Sequence, residues 1–218
     1  TEIIVVDGGS SDGTLRWLSN QKDILTIIQH NRDPKNNGAR RRSWGYFINL
    51  GFRAASGKYV CMLSDDVIVV PGALKNGLAV FHRNGQSEDA VGAVAFYYRE
   101  WPHDHAYFVY KMFGEVLHVN HGIFSKAALE KVGYADEGLY SFYRADNDLC
   151  IRISEAGFTI LECKHSKVEH YSSTTAHIKK SNQTSLQEDS DALFRKWQHY
   201  YRPQDTERQF YDRLELKV

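Results

Sequence analysis

Cysteine, proline and methionine are scarce in this 218-residue sequence, which holds three, four and two of them. Cys61, Cys150 and Cys163 lie far apart, without the short paired spacings of a metal finger, and an odd count does not close a disulfide framework. A reducing compartment is the expectation. No apolar run approaches the roughly 18 residues of a membrane helix, and no charged-then-apolar leader precedes the first hydrophobic run, so the sequence reads as soluble and cytoplasmic. Peripheral association with the inner face of a membrane, through a further segment, stays open. Neither sign of charge dominates: Lys plus Arg and Asp plus Glu number 27 each, so no global field favours nucleic acid or an anionic surface. Function must therefore rest on local sites. The 42% of hydrophobic residues suffices for one good core and a small appendage.

Strand and helix signals alternate through the first half. EIIVV, from Glu2, is a short β-branched run, and TLRWLSN after it reads as a helix. ILTIIQ, from Ile24, is a second strand; SWGYFINLGFRAA is a helix stopped by Ser56-Gly57; KYVCMLSDDV is a third strand ending in acids. Pro71 opens the helix PGALKNGLAVFHRN at its tolerated first turn, and AVGAVAFYY returns as a strand. Alternation of this kind predicts an α/β fold with a mostly parallel central sheet flanked by helices. From Arg99 the pattern is irregular and rich in aromatics and histidine, until the helices SKAALEKVG and ADNDLCIRISEAGF. Beyond Ser185 an amphipathic segment carries Leu193, Trp197, Tyr200 and Tyr201 along one side. The expected division is a catalytic unit over 1–183 and a helical extension over 184–218.

Three stretches carry chemistry. VVDGGSSDGT, from Val5, joins a strand to a helix, but its glycines do not follow G-x-G-x-x-G and no Gly-Lys-Ser/Thr closes a phosphate loop. Asp7 would repel an anion placed directly on it. A carboxylate at a strand's carboxyl end better suits a base or ribose, in the crevice where open α/β sheets bind ligands. In Leu63-Ser64-Asp65-Asp66-Val67 adjacent carboxylates repel, so either water solvates the turn or a hard divalent cation accompanies them. Arg144-Ala145-Asp146-Asn147-Asp148-Leu149 opens a helix, where Asp146 can serve as an N-cap and Asp148 can complement the dipole. Arg40, Arg41 and Arg42 form a basic loop that suits phosphate, although solvated basic loops are commoner. His103-Asp104-His105, and His118 with His121, lack a full zinc complement and are expected to line or border the acceptor side.

Taken in order, VVDGGSSDGT, AASGKYVCMLSDD and Ala145-Asp146-Asn147-Asp148-Leu149 resemble the family 2 glycosyltransferases, inverting nucleotide-sugar enzymes of the GT-A fold. The resemblance runs from Glu2 to about His170. It implies that the strand end at Asp7 and Gly8 contacts the nucleotide. It maps a D-x-D-like motif onto Ser64, Asp65 and Asp66, with Asp65 facing the ribose and Asp66 the metal. It makes Asp146 the catalytic base and His170, in Val168-Glu169-His170, a second metal ligand. Arg41 is the basic-loop candidate for the diphosphate.

The resemblance further implies Mn2+ or Mg2+ as cofactor. The donor would be a UDP-, GDP- or dTDP-sugar and the acceptor a carbohydrate or lipid-linked group, in polysaccharide or glycoconjugate assembly; no nucleic acid partner is implied. Three departures qualify it, the first being Gly8, where many relatives carry a second acidic or amide residue for the base. Ala145 stands where the family motif has glutamate, and family members usually begin with another strand and helix before the equivalent of TEIIVVDGGSSDGT, so a trimmed first strand is expected. The alternatives are an inactive or retaining nucleotide-sugar-binding relative, and a non-enzymatic divalent-metal or carbohydrate-binding module.

Overall fold

The computed structural model describes residues 1–30, 42–83, 90–112, 115–171, 183–200 and 212–216. Strand β1 (Ile3–Asp7) runs into helix α1 (Thr14–Leu18) and returns as β2 (Ile24–Ile28), paired parallel from Ile3 opposite Ile24 to Asp7 opposite Ile28. Helix α2 (Trp44–Ala54) begins where the Ser43 hydroxyl accepts the Tyr46 amide at 3.1 Å, and it buries Asn49 and Phe52. It packs against β1 and ends at Ala54, two residues before Ser56, where the sequence placed its stop.

The larger sheet contains β3 (Tyr59–Met62), β4 (Val67–Val69), β5 (Val91–Glu100), β6 (Phe108–Lys111), β7 (Leu117–His118), β8 (Gly122–Ser125), β9 (Thr159–His170) and β10 (Asp212–Glu215). Helices α3 (Ala73–Arg83), α4 (Lys126–Val132), α5 (Ala145–Glu155) and α6 (Leu186–Trp197), the last followed by a 3-10 turn over Gln198–Tyr200, complete the described elements. The expectation of a mostly parallel sheet is corrected. Among the described residues only β1–β2 and β5–β9 pair parallel, whereas β3–β8, β5–β8, β4–β9, β5–β6, β6–β7 and β6–β10 pair antiparallel. The reason lies in the segment after Arg99, whose lack of clear periodicity hid three short strands. Short connections allow antiparallel pairing, whereas a parallel pair needs a long crossover. One of these strands, β8, lies between β3 and β5, so close that a Cβ on Gly122 would come within 2.2 Å of the Val94 carbonyl oxygen.

Strand β5 is the centre of the molecule, with its first eight residues buried. Ala93, Ala95 and Tyr97 join a core with Phe52, Phe124, Leu129, Leu149, Ile153, Leu193 and Trp197, contributed in part by α2, α4, α5 and α6. Val94, Phe96 and Tyr98 face the opposite way, into a second core with Phe81 of α3, Phe108, Ile123 and Val168. Burial on both faces is what an apolar run without polar alternation produces. Along β9 the register slips: Cys163 faces Phe96 but Lys167 faces Tyr97, so Lys164, His165 and Ser166 bulge out. Helix α3 holds this bulge through Asn76 donating to the His165 carbonyl and Ser166 donating to that of Ala73. Beyond it, His170 lies opposite both Glu100 and Val67.

Helix α6 joins the first core rather than standing off it, and Asp148 is the reason. Its side chain is fully buried, yet it accepts from Arg152 Nε at 2.7 Å, Lys196 Nζ at 2.7 Å, Trp197 Nε1 at 2.9 Å and Tyr140 Oη at 3.2 Å. Burial alone would raise its carboxyl; the Lys196 and Arg152 partners more than offset that and hold it below the usual carboxylate range. Asp148 thus adds stability that is full above the ordinary carboxylate pKa of about 3.9 and fades as pH falls through the depressed folded value. Asp148→Ala leaves two cations without their buried partner, and the expected cost is about 3 kcal/mol. A thermal melt at neutral pH checks this, with a midpoint lowered by roughly 6 to 12 °C; an unchanged midpoint would show that solvent replaces the carboxylate.

Candidate active site

The first component is the turn after β1. Asp7 Oδ1 accepts the amides of Gly9 at 2.7 Å and Ser10 at 2.8 Å, and the residue is 6% exposed. Burial would raise its carboxyl, but the Ser10 and Gly9 hydrogen bonds outweigh it and hold it ionised. Gly8 is exposed, and Gly9 adopts φ +100°, which an L side chain rarely takes.

The second component follows β3. Ser64 and Asp65 are exposed, whereas Asp66 is half-buried because β4 starts at the next residue and pairs with the end of β9. That pairing brings Asp66 Oδ2 to 3.3 Å from His170 Nε2, while the Tyr171 amide donates to the Asp66 carbonyl at 2.7 Å. On its other side His170 Nδ1 is 2.8 Å from Glu100 Oε1. The hydrogen bond to Asp66, then that to Glu100, raises His170 to about 9, and the bond from His170 takes Asp66 down to about 2. An imidazolium thus bridges two carboxylates.

Asp66 Oδ1 is buried and has no hydrogen-bond partner. With the imidazole nitrogen it forms a pair of donors suited to a borderline or hard divalent ion. Among the described residues no group of three or more His, Cys, Asp or Glu is arranged to hold a metal alone. The residues fit an ion that takes its remaining ligands from phosphate and water, as Mg2+ commonly does.

The third component is the start of α5. Asp146 is its second residue; the cap position belongs to Arg144, in the left-handed region at φ 72° and without a side-chain cap bond. The N-cap reading of Asp146 is therefore replaced. Its Oδ1 accepts the Asn147 amide at 2.9 Å and its Oδ2 lies 2.8 Å from His118 Nε2. Burial would raise this carboxyl, but the His118 charge and hydrogen bond outweigh it and hold it below the ordinary value.

His121 connects the second and third components. It is 2% exposed, its ring centre lies 5.4 Å from that of His170, and Nδ1 has no hydrogen-bond partner. Burial first, then the charge of His170, pushes it down to about 3, so it is neutral at pH 7. The sequence reading had His118 and His121 line or border the acceptor side, and in the structure both side chains are largely enclosed. His103-Asp104-His105 is different, since Asp104 pairs with Arg213 at 3.2 Å and holds a turn. Arg41 lies outside the described residues; Arg42, beside it, lies over the Tyr46 ring at 4.7 Å.

Carboxylates thus stand at or just beyond the ends of β1 and β3, and an acid held below its ordinary pKa stands in the first turn of α5. Residues 1–126 match the profile of Glycosyl transferase family 2. The chain belongs to that family. The match takes in Asp7, Asp66, His118 and His121; Asp146 and His170 lie beyond it. Comparison with curated proteins gives no match. Among solved structures, this family 2 chain resembles the mannosyltransferase PcManGT of Pyrobaculum calidifontis, in complex with GDP-Man and Mn2+, at TM-score 0.60 and 17% identity, covering 89% of this chain and 55% of that one. It resembles S. aureus TarS 1–349 at TM-score 0.56 and 15% identity, with 91% and 64% covered. The structure of GalNAc-T7 with UDP, GalNAc and Mn2+ follows at 0.55 and 14%, with 78% and 37% covered. At these identities the likeness establishes the GT-A α/β fold. The chain spans little more than half the length of the mannosyltransferase structure.

Gly9→Ala tests the first component. The added Cβ would come within 2.4 Å of His30 Nδ1 and hold φ in a strained region, and the expected loss is about 1 to 3 kcal/mol in a urea unfolding curve. Parental stability in this variant would show that the turn relaxes without cost.

Proposed function

We propose that this family 2 chain transfers a sugar from a nucleoside diphosphate donor to an acceptor hydroxyl by inverting single displacement, with a divalent ion on the diphosphate. The observation that carries the reading is the division of labour between two carboxylates on either side of His121. Asp146 is ionised, 20% exposed at its side chain and fixed by His118, which suits a base. Asp66 is tied to His170 and keeps a buried oxygen unshared, which suits an ion.

In the proposed reaction the acceptor hydroxyl gives its proton to Asp146 as its oxygen attacks the anomeric carbon. The bond from that carbon to the β-phosphate oxygen breaks, and the nucleoside diphosphate leaves with the electron pair. Asp66 and His170 would hold Mn2+ or Mg2+, which supplies Lewis-acid stabilisation of the leaving diphosphate. His170 must be neutral to ligate, so ion uptake releases its proton. Asp7 and Gly8 at the β1 end, with Ser64 and Asp65, would take the base and ribose; Arg41 is the proposed diphosphate contact from the basic loop.

The donor proposed is a UDP-, GDP- or dTDP-sugar and the acceptor a carbohydrate or lipid-linked group in polysaccharide or glycoconjugate assembly. GDP-Man and UDP with Mn2+, named for two of the similar structures, support the donor and ion classes. Among the described residues no helix is long and apolar enough to cross a membrane, and the proposed setting is cytoplasmic, at the inner membrane face if the acceptor is lipid-linked. Ala145 favours one competing reading, a relative that binds donor without turnover. Yet Ala145 is 1% exposed within the core, and Asp146 beside it keeps both of its hydrogen bonds, which supports a base at 146 despite the replacement.

A thermal-shift panel of UDP, GDP, dTDP and CDP, each with and without Mn2+, tests the reading. One nucleotide at about 100 Kd should add about 2.7 kcal/mol of stability, and only with the ion present. Asp66→Ala should remove that metal-dependent shift. Asp146→Asn should keep the shift while turnover falls by roughly 10² to 10⁴; full turnover in this variant would rule out the base assignment. No shift with any nucleotide would favour the ion-binding or carbohydrate-binding module.

A further inference from the structure

The geometry points to His118 as the positioning residue of the proposed base: its Nε2, 2.8 Å from Asp146 Oδ2, sets the plane in which that carboxylate meets an acceptor hydroxyl. This rests on the reading of Asp146 as the base and adds a residue that reading does not require.

A carboxylate in the first turn of a helix can rotate about two side-chain bonds. The Asn147 amide pins one oxygen of Asp146 at 2.9 Å, which still leaves rotation about the axis through that contact. His118 pins the other oxygen. Two anchors on two oxygens define the carboxylate plane and leave the remaining lone pairs for an incoming hydroxyl. The ring itself is less accessible than the acid it holds, at 9% against 20% side-chain exposure. The acceptor therefore reaches the carboxylate, and His118 acts through it.

A purely structural role for the contact is less economical. Strand β7 is already docked to α5 without it: the Val119 amide donates to Cys150 Sγ at 3.4 Å, and Leu117 and Val119 share one core with Leu149 and Ile153. The backbone of His118 is set by its pairing with Tyr110 of β6. Nothing in that docking requires a polar side chain at 118. The ionisable groups around Asp146 are His118 from β7, His121 from the following turn, and Arg144, Asp148 and Cys150 from α5 and its entry. Of these, His118 is the one whose side chain makes a direct polar contact with the carboxylate in the structure. Removing it takes away both a hydrogen bond and an attraction that favour the ionised acid.

The test begins without any substrate. A 13C titration of the Asp146 side-chain carboxyl, identified by its disappearance in Asp146→Asn, is measured in the parent, His118→Ala and His118→Gln, each checked for a cooperative melt. The parent midpoint should lie below the ordinary value of about 3.9. It should rise in His118→Ala and rise less in His118→Gln, whose amide nitrogen can donate over the same reach but carries no charge. Release of nucleoside diphosphate from UDP-glucose and GDP-mannose, with water as acceptor, then reads the chemistry. His118→Ala should lower kcat tenfold or more with KM unchanged, His118→Gln should recover most of it, and the double variant with Asp146→Asn should be no slower than Asp146→Asn alone. An unchanged midpoint in His118→Ala overturns the inference, as does equal loss of kcat in the alanine and glutamine variants. Failure of the base assignment looks different: Asp146→Asn would keep its turnover while the carboxyl midpoint still moved with His118.

Discussion

The buried carboxylate of Asp148 is the constraint on which the site depends. Taking a charge out of water costs several kcal/mol, and a buried ion pair offsets that only when the remaining lone pairs are also satisfied. Here four donors converge, from Tyr140, Arg152, Lys196 and Trp197, and Arg152 passes its other nitrogens to the carbonyls of Val132 and Tyr134. One group thereby fixes α4, α5 and α6 and the segment between α4 and α5. A hydrophobic substitute of similar volume could match the stability, but it could not bind four specific donors and so specify one arrangement. Residues two apart on a helix point to different sides. Asp148 is turned into this network, and Asp146, two residues earlier, is turned toward His118.

A second clamp repeats the theme. The carboxylate of Asp189, on α6, accepts the amides of Ser141, Phe142 and Tyr143 at 2.7, 2.9 and 2.8 Å. These amides lead directly into Arg144, whose left-handed backbone turns the chain into α5. Three donors on one carboxylate hold that entry where a non-glycine residue would otherwise relax. Helix α6 lies beyond the residues that match the family profile, yet through Asp148 and Asp189 it controls how the Asp146 segment is presented. The slip along β9 has the same function for the other half of the site. A one-residue change of register would turn His170 to the opposite face of the sheet, away from Asp66.

What the sequence disclosed and what it hid separate along a physical line. Strand ends bearing acids were legible because a carboxylate following an apolar run is a local pattern, and the structure places Asp7, Asp65 and Asp66 at or just beyond the ends of β1 and β3. The limits of α2 were legible from Ser43 and Ser56-Gly57. Sheet direction was not, because β6, β7 and β8 are two to four residues long and carry too few residues for a period to emerge. The bond from His118 to Asp146 spans 28 residues and belongs to tertiary packing alone. The one local hint was the pairing of His118 with His121, which suggested a metal before it suggested a wall between two acids. Arg144 at the helix cap was equally hidden, since its positive φ is imposed by the clamp on the amides before it.

If the proposed donor and ion bind here, the charges of the site would constrain the order in which they enter. Around the proposed ion position stand the carboxylates of Asp66 and Glu100 and the imidazolium of His170, a net negative set. A diphosphate approaching that set alone would meet repulsion, and Arg144 lies on the Asp146 side. An ion arriving first must displace the proton of His170, which the two carboxylates hold tightly. An ion arriving on the diphosphate brings its own neutralising charge and already carries part of its oxygen shell, so it needs only Asp66 and His170 from the protein. The second route would avoid the repulsion, while the proton of His170 would have to leave on either route. Neutral His121, buried between His170 and the Asp146 side, keeps a further positive charge out of this balance, so that the field at the proposed ion position is set by the acids and by what the donor brings.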